Sequence, residues 1–368
     1  MFFFYPVLYS FLSMITALYV VSSKKNKIID LVVLSIILLS YMYLVPLRPS
    51  DAGNDTALYI NAYTKLYDFN SAYEVGKSYF GNTEPLFWPL SFVLKMIGLS
   101  AAQFIAACGL ISFFLTYNSL KLQAEILRCD RRLVFFSLAA MLFTYMSVYY
   151  GNHVRASLAV PLAFMSVLYY IKRDSVKAVL FFLLAMSFHW SSLFIALYIL
   201  IDKFIDTEKK IFIAYLLSCF TALVSSFVIN ELGSILSFFP QLSNFKDKVE
   251  LYKSGTVASE LTSIFSLSSF WAIFIVASIF ILYRDPKNIR VRKLSLLFLI
   301  LVMVFSFSPI MSVRYFSFLY VTSVLGFTSV FVNVFGKKVA LMLLFLLFII
   351  LSFVVLTSES VRYTLGLN

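Results

Sequence analysis

The chain is a succession of long apolar runs separated by short polar turns. Apolar segments lie at about 2–22, 28–46, 101–120, 133–150, 154–171, 177–201, 211–229, 263–283, 294–311, 315–335 and 339–356. Runs of roughly 17–25 apolar residues are long enough for a helix to cross about 30 Å of hydrocarbon. The short alternating segments of a β-barrel do not occur. Helices are then the only way to satisfy backbone polar groups inside lipid. The pattern predicts an all-α polytopic membrane protein, a single transmembrane domain over residues 1–368.

The turns between the runs set an orientation. Lys24, Lys25 and Lys27 follow the first run; Lys121, Arg128, Arg131 and Arg132 follow the third. Arg284, Lys287, Arg290, Arg292 and Lys293 form another cluster, and Lys172, Arg173, Lys177, Lys203, Lys209, Lys210, Lys337 and Lys338 fill the remaining turns. If these face the cytoplasm, that side holds twenty of the 30 basic residues and eight of the 18 acidic ones, and so the whole net charge of +12. Sorting of this kind is the charge rule of membrane topology. It requires two things. Residues 85–99, with Pro85, Pro89 and Lys95, lie in the outer interface as a short helix without crossing. Residues 177–201 form a hairpin of two short helices with its tip near His189. The expectation is about 12 passes with both termini outside, and two polar outer segments at about 47–84 and 230–262. In the first of these, 55–69 reads as one amphipathic helix, with Leu58, Ala62 and Leu66 on one stripe and Tyr59, Tyr63 and Tyr67 on the next.

Composition agrees: 61% of residues are hydrophobic and 13% charged, against roughly 25% charged in soluble domains. Because the basic residues sit in turns between apolar runs, the positive charge reads as topology and no nucleic-acid partner is expected. Cys108, Cys129 and Cys219 are scattered without metal-ligand spacing, so neither disulfides nor a zinc site is indicated. The opening MFFFYPVLYS has no positive n-region or small-residue cleavage site and reads as a retained first span.

Five constellations fall outside or at outer span ends: Arg48-x-x-Asp51-x-Gly53-x-Asp55-x-x-x-Tyr59, Glu84-Pro85-Leu86-Phe87, Asn152-His153-Val154-Arg155, Phe188-His189-Trp190-Ser191 and Arg314-Tyr315. Ionisable groups at membrane depth are costly and point to function. Each also has a structural reading. Asp55 can cap a helix. Glu84 before Pro85 suits a first turn. His153, beside Asn152 at a turn, reads as structural. His189 can be a satisfied buried imidazole, and Arg155 and Arg314 can snorkel to headgroups. No Asp-x-Asp clamp, Gly-rich phosphate loop or Ser–His–Asp grouping is present. Arginines, carboxylates and a histidine in one outward pocket suit holding a pyrophosphate and deprotonating a hydroxyl.

In this order, Gly53, Asp55 and Tyr59, then Glu84-Pro85-Leu86-Phe87, Asn152 with Arg155, and Phe188, His189 and Ser191 resemble the EpsG-like group of Wzy-type polysaccharide polymerases. Ala156 and Ser157 stand where such proteins often carry Gln, and beyond about residue 200 the likeness rests on span pattern and Arg314. The resemblance implies a GT-C-like glycosyltransferase of the bacterial inner membrane. It would join undecaprenyl-diphosphate-linked oligosaccharide repeat units into O-antigen, capsule or exopolysaccharide, with membrane lipid around it and a chain-length regulator protein as partner. Neither cofactor nor metal is expected, since arginines can stabilise the departing diphosphate. The implied roles are diphosphate binding by Arg155, Arg314 and Arg48, general base for His189, Glu84 or Asp55, and sugar stacking for Tyr59 and Tyr63. An O-antigen ligase would use the same donor. A lipid-linked oligosaccharide flippase would need polar groups through mid-membrane, where this chain is apolar. A membrane O-acyltransferase would need a cytoplasmic donor site, away from His189.

Overall fold

In a computed structural model, the described residues are 4–22, 26–44, 54–81, 84–142, 153–236, 267–285, 288–306 and 309–357. Among them the regular structure is helical: α1 (Phe4–Val21), α2 (Lys27–Leu44), α3 (Asn54–Thr64), α4 (Phe69–Phe80), α5 (Phe87–Met96), α6 (Ala101–Leu127), α7 (Leu133–Met141), α8 (Val154–Ile171) and α9 (Ser175–Phe188). A 3-10 helix (Trp190–Ala196) follows, then α10 (Leu197–Phe204), α11 (Glu208–Leu236), α12 (Leu267–Leu282), α13 (Ile289–Val304), α14 (Pro309–Phe335) and α15 (Lys337–Thr357). Among the described residues four stretches are long and apolar enough to cross a membrane, Lys27–Leu44, Ala101–Leu127, Val154–Ile171 and Arg314–Phe335, and shorter apolar helices accompany them. The chain is a helical membrane protein. It divides into two compact units, one holding the residues up to Ile195 together with Val324–Thr357, the other Ala196–Ser323.

The first unit is built around α8. This helix is apolar on all sides and buried from Ala156 to Leu168, the signature of a helix enclosed by others. α9 runs antiparallel against it: Ser166 Oγ donates to the Ala178 carbonyl at 2.8 Å, and Tyr169 stacks on Phe181. α6 packs on another side, with Ser112 Oγ donating to the Ser157 carbonyl at 3.0 Å. Eighteen residues at 1.5 Å each give α8 a length of about 27 Å.

The basic turns gather at the end of this unit where α8 finishes. Lys172 pairs with Glu125 at 3.3 Å and Lys337 with Asp130 at 2.6 Å. Arg132 binds Asp130 and the Ser22 carbonyl, and Tyr19 bonds Asp30. Turns assigned to one side by charge alone are therefore neighbours. The second unit repeats the pattern within itself: Lys293 binds Asp202 at 2.8 Å, Arg292 binds Glu208 at 2.7 Å, and Tyr198 donates to the Arg290 carbonyl. The turn after α10 thus lies beside the turn before α13, as expected if both face one side.

The other end of the first unit carries the short helices α3, α4 and α5. α5, with 10 residues, extends about 15 Å, half of what a crossing requires, in keeping with an interfacial helix. The expectation for 55–69 needs correction. α3 stops at Thr64, where Lys95 Nζ donates to the Thr64 and Leu66 carbonyls at 2.7 and 2.6 Å. Its buried face carries Tyr59, Ala62 and Tyr63, with Leu58 exposed and Tyr67 outside the helix altogether. α4 then starts at a capping box between Asp68 and Ser71, which satisfies two orphan donors. Gly81, at φ +65°, ends α4 in the left-handed region that only glycine enters freely. Gly76 makes room of another kind. A Cβ there would stand 2.5 Å from the indole of Trp88, so glycine lets α5 lie directly against α4.

Tyr67 follows α3, at the end of the first unit where α8 begins, and Lys177 lies in the first turn of α9, near the end where α8 finishes; the orientation expected from charge puts the two on opposite sides of the membrane. In a background lacking Cys108, Cys129 and Cys219, a cysteine at Tyr67 is expected to react with an impermeant maleimide from outside intact cells. One at Lys177 is expected to react only after the membrane is opened; reaction of both from the same side contradicts the topology.

Candidate functional site

Four residues far apart in sequence meet at the α3–α5 end of the first unit. Arg155, in the first turn of α8, donates from Nη1 to Glu84 Oε1 and Oε2 at 2.6 and 2.7 Å, and from Nε to the Tyr59 hydroxyl at 3.1 Å. His189 Nδ1 lies 3.4 Å from Glu84 Oε1. Phe80 closes the cluster from α4. Its ring stacks on Tyr59 at 4.8 Å and carries the guanidinium of Arg155 4.3 Å from its centroid, a cation–π arrangement.

Each side chain is placed by a local feature of the backbone. α9 ends at Phe188, and His189 is extended at φ −161°, ψ 122°, which breaks the helix before the 3-10 helix that follows. The backbone N–H of Leu86 donates to the Ser187 carbonyl at 3.1 Å, tying the Glu84-Pro85-Leu86 segment to the end of α9. Glu84 thereby reaches His189 and Arg155 together.

The electrostatics follow from burial. The side chain of Glu84 is 1% exposed and that of Arg155 12%. Burial by itself would raise the pKa of Glu84, but its bond with His189 and the charge and hydrogen bonds of Arg155 outweigh it and hold the carboxyl below its ordinary value. Burial pushes the Tyr59 hydroxyl up despite the neighbouring cation, so Tyr59 stays protonated and offers Arg155 a neutral oxygen. Nε and Nη1 are committed to protein acceptors; Nη2 makes no hydrogen bond among the described residues. The result is a guanidinium fixed in place with one N–H₂ face left for a ligand anion.

The other expected residues are placed as follows. Asp55, in the first turn of α3, lies 3.3 Å by Oδ2 from His153 Nδ1. This pair crosses from α3 to the start of α8 one turn from the Tyr59–Arg155 contact, and both its side chains are partly exposed. Tyr63 is buried. Its ring stacks on Phe104 at 4.4 Å and its hydroxyl donates to the Leu99 carbonyl at 2.8 Å. The faces of Tyr59 and Tyr63 are thus taken up by phenylalanines of the chain, which corrects their expected role as open stacking surfaces for sugars. Arg314 lies half-buried near the start of α14, in the second unit. Arg48, Asp51, Gly53 and Asn152 lie outside the described residues. Among the described residues no group of three or more His, Cys, Asp or Glu side chains is arranged to hold a metal.

The sequence motifs do not pair Asp55 with His153, whose place beside Asn152 reads as a turn, and Phe80 belongs to none of them. A usable signal existed for His153. It is one of two histidines in the chain and stands two residues before the arginine that opens a span.

Removing one partner of a buried ion pair leaves an uncompensated charge, at a cost of about 3–5 kcal/mol. Glu84→Gln and Arg155→Gln are each expected to lower the thermal midpoint of the detergent-solubilised protein clearly, and the double variant by less than the two losses added. The pH sign follows from the lowered Glu84 pKa. The stabilisation is present above the carboxyl's ordinary value of 4.5 and is lost as pH falls through the depressed folded value. Melting curves should therefore show a smaller acid-induced drop for Glu84→Gln than for the unaltered protein.

A family model for the EpsG family matches residues 31–364. No curated protein and no solved structure matches the chain. The match spans nearly all of the sequence, including every residue of the Glu84–Arg155 cluster: the chain belongs to the EpsG family.

Proposed function

We propose that this membrane protein is a polymerase that joins undecaprenyl-diphosphate-linked oligosaccharide repeat units into a surface polysaccharide, acting at the outer face of a bacterial inner membrane. The observation that carries the reading is the fixed guanidinium of Arg155 with its free Nη2 face. A glycosyl diphosphate develops negative charge on its leaving oxygens as the glycosidic bond breaks. A cation already held in place stabilises that charge without reorganising. Nucleotide sugars are cytoplasmic, so a donor used outside must bring its own leaving group, and a polyprenyl diphosphate does so while staying in the membrane.

In this reading Arg155 grips the diphosphate, Glu84 and Tyr59 hold Arg155, and Arg48 is a further cation for the donor. Asp55, Glu84 and His189 are the groups first expected to accept the proton of the acceptor hydroxyl. Tyr63, buried against Phe104, supports the α3 wall of the site. With the expected arrangement of about 12 passes, the whole cluster belongs to the outer side. The basic end of the first unit, with Lys172 and Lys337, lies at the opposite end of α8 and faces the cytoplasm.

Arg155→Lys keeps a positive charge opposite Glu84 but has neither the fork that reaches Tyr59 nor a second N–H₂ face. Cells carrying it are expected to accumulate normal amounts of the protein yet lose the long rungs of the polysaccharide ladder. A ladder like that of the unaltered protein would remove Arg155 from the mechanism. The same assay on His189→Ala, Glu84→Gln and Asp55→Asn should show loss in at least one, and full activity in all three would rule out the whole set as bases.

A further inference from the structure

Two histidines stand at the site, each with Nδ1 toward a carboxylate, and their settings differ. His189 shares Glu84 Oε1 with Arg155 Nη1, which binds that oxygen at 2.6 Å. Taking a proton on His189 would place a second positive charge against the guanidinium on a single carboxylate. The side chain is also only 12% exposed. Glu84 is 1% exposed, with both oxygens on Arg155. Neither is well placed to take a proton from an incoming sugar hydroxyl. His153 is different. Its side chain is 27% exposed, its partner Asp55 is 32% exposed, and the two are 3.3 Å apart. It precedes α8 at the position where a side chain commonly caps the helix, yet its ring makes no capping hydrogen bond; it is turned toward α3.

We propose that His153 is the general base of the transfer and that Asp55 is its positioning residue; this rests on the polymerase reading above and names the proton acceptor within it. An imidazole that donates Nδ1–H to a carboxylate is held in one tautomer, with its lone pair on Nε2. The carboxylate then stabilises the imidazolium that forms. His153 and Arg155 are two residues apart at the start of α8, and Asp55 and Tyr59 are one turn apart on α3, where residues four apart are neighbours. Base and diphosphate-binding cation are thus set side by side by two parallel cross-links between the same two helices.

The step balances as follows. Neutral His153 takes the proton of the acceptor hydroxyl on Nε2. The oxygen forms its new bond to the anomeric carbon of the donor. The bond from that carbon to the diphosphate oxygen breaks, with its electron pair staying on undecaprenyl diphosphate, beside Arg155. The imidazolium, opposite Asp55, then releases its proton to water. There is no redox change.

The test uses the full-length protein in proteoliposomes, with undecaprenyl-diphosphate-linked oligosaccharide from the host's own membranes as the probe. His153→Ala is expected to lower kcat by about 100-fold or more with the KM for the probe little changed, and added imidazole is expected to restore part of the turnover. Asp55→Asn is expected to lower kcat, again at constant KM. Turnover by His153→Ala within a few-fold of the unaltered protein overturns the proposal, as does a loss that comes with a raised KM and is not restored by imidazole. Failure of the polymerase reading looks different: the unaltered protein would make no polymer from this probe.

Discussion

A charged guanidinium held almost out of water is tolerable only if its charge and its N–H groups are answered, and at Arg155 they are answered by Glu84 and Tyr59. The arrangement of this end of the first unit serves that condition. The carboxylate comes from the segment between α4 and α5, the hydroxyl from α3, the aromatic floor from Phe80 at the end of α4, and the guanidinium from α8. A buried pair of this kind is weak evidence for stability, since desolvation cancels much of the attraction. Its value is positional. It fixes a cation at one end of a helix that carries no other charged residue.

The same constraint explains the short helices. α3, α4 and α5 are too short to span lipid, and they enclose the polar cluster. Gly81 ends α4 in a left-handed turn, Gly76 admits Trp88, and Lys95 caps the end of α3. These features bring Phe80 and Glu84 onto Arg155. A larger residue at Gly76 would meet the Trp88 indole and push apart the two helices that flank Glu84. Packing and site chemistry are therefore linked through a few backbone positions.

The membrane class, the short helix at 87–96 and the break at His189 were legible in the sequence, because apolar run length, proline and charge placement report them directly. The neighbourhood of the first unit's basic turns was also legible: their charges cluster between apolar runs, and the turns holding Glu125, Asp130, Lys172 and Lys337 meet through ion pairs. Pairing was not legible. Nothing in the spacing says that Glu84 binds Arg155 and not Arg314, or that Asp55 meets His153, because these contacts depend on how α3 and the α4–α5 segment lie against α8. The continuous helix expected over 55–69 failed for a related reason. Its stripe of Leu58, Ala62 and Leu66 fits a helical period, but the Asp68 capping box and the Lys95 bonds break the helix at Thr64. Aromatic stacking on Phe80 and Phe104 then buries Tyr59 and Tyr63 instead of Leu58.

Binding of undecaprenyl diphosphate to the purified protein in lipid nanodiscs tests the role of the fixed guanidinium without requiring turnover. The unaltered protein should bind the diphosphate more tightly than undecaprenyl monophosphate, and Arg155→Lys should weaken diphosphate binding by about tenfold or more, the loss of one charge-assisted, geometrically matched contact of about 1.5–3 kcal/mol. Equal affinity of the two proteins for the diphosphate would contradict the placement of the donor at Arg155.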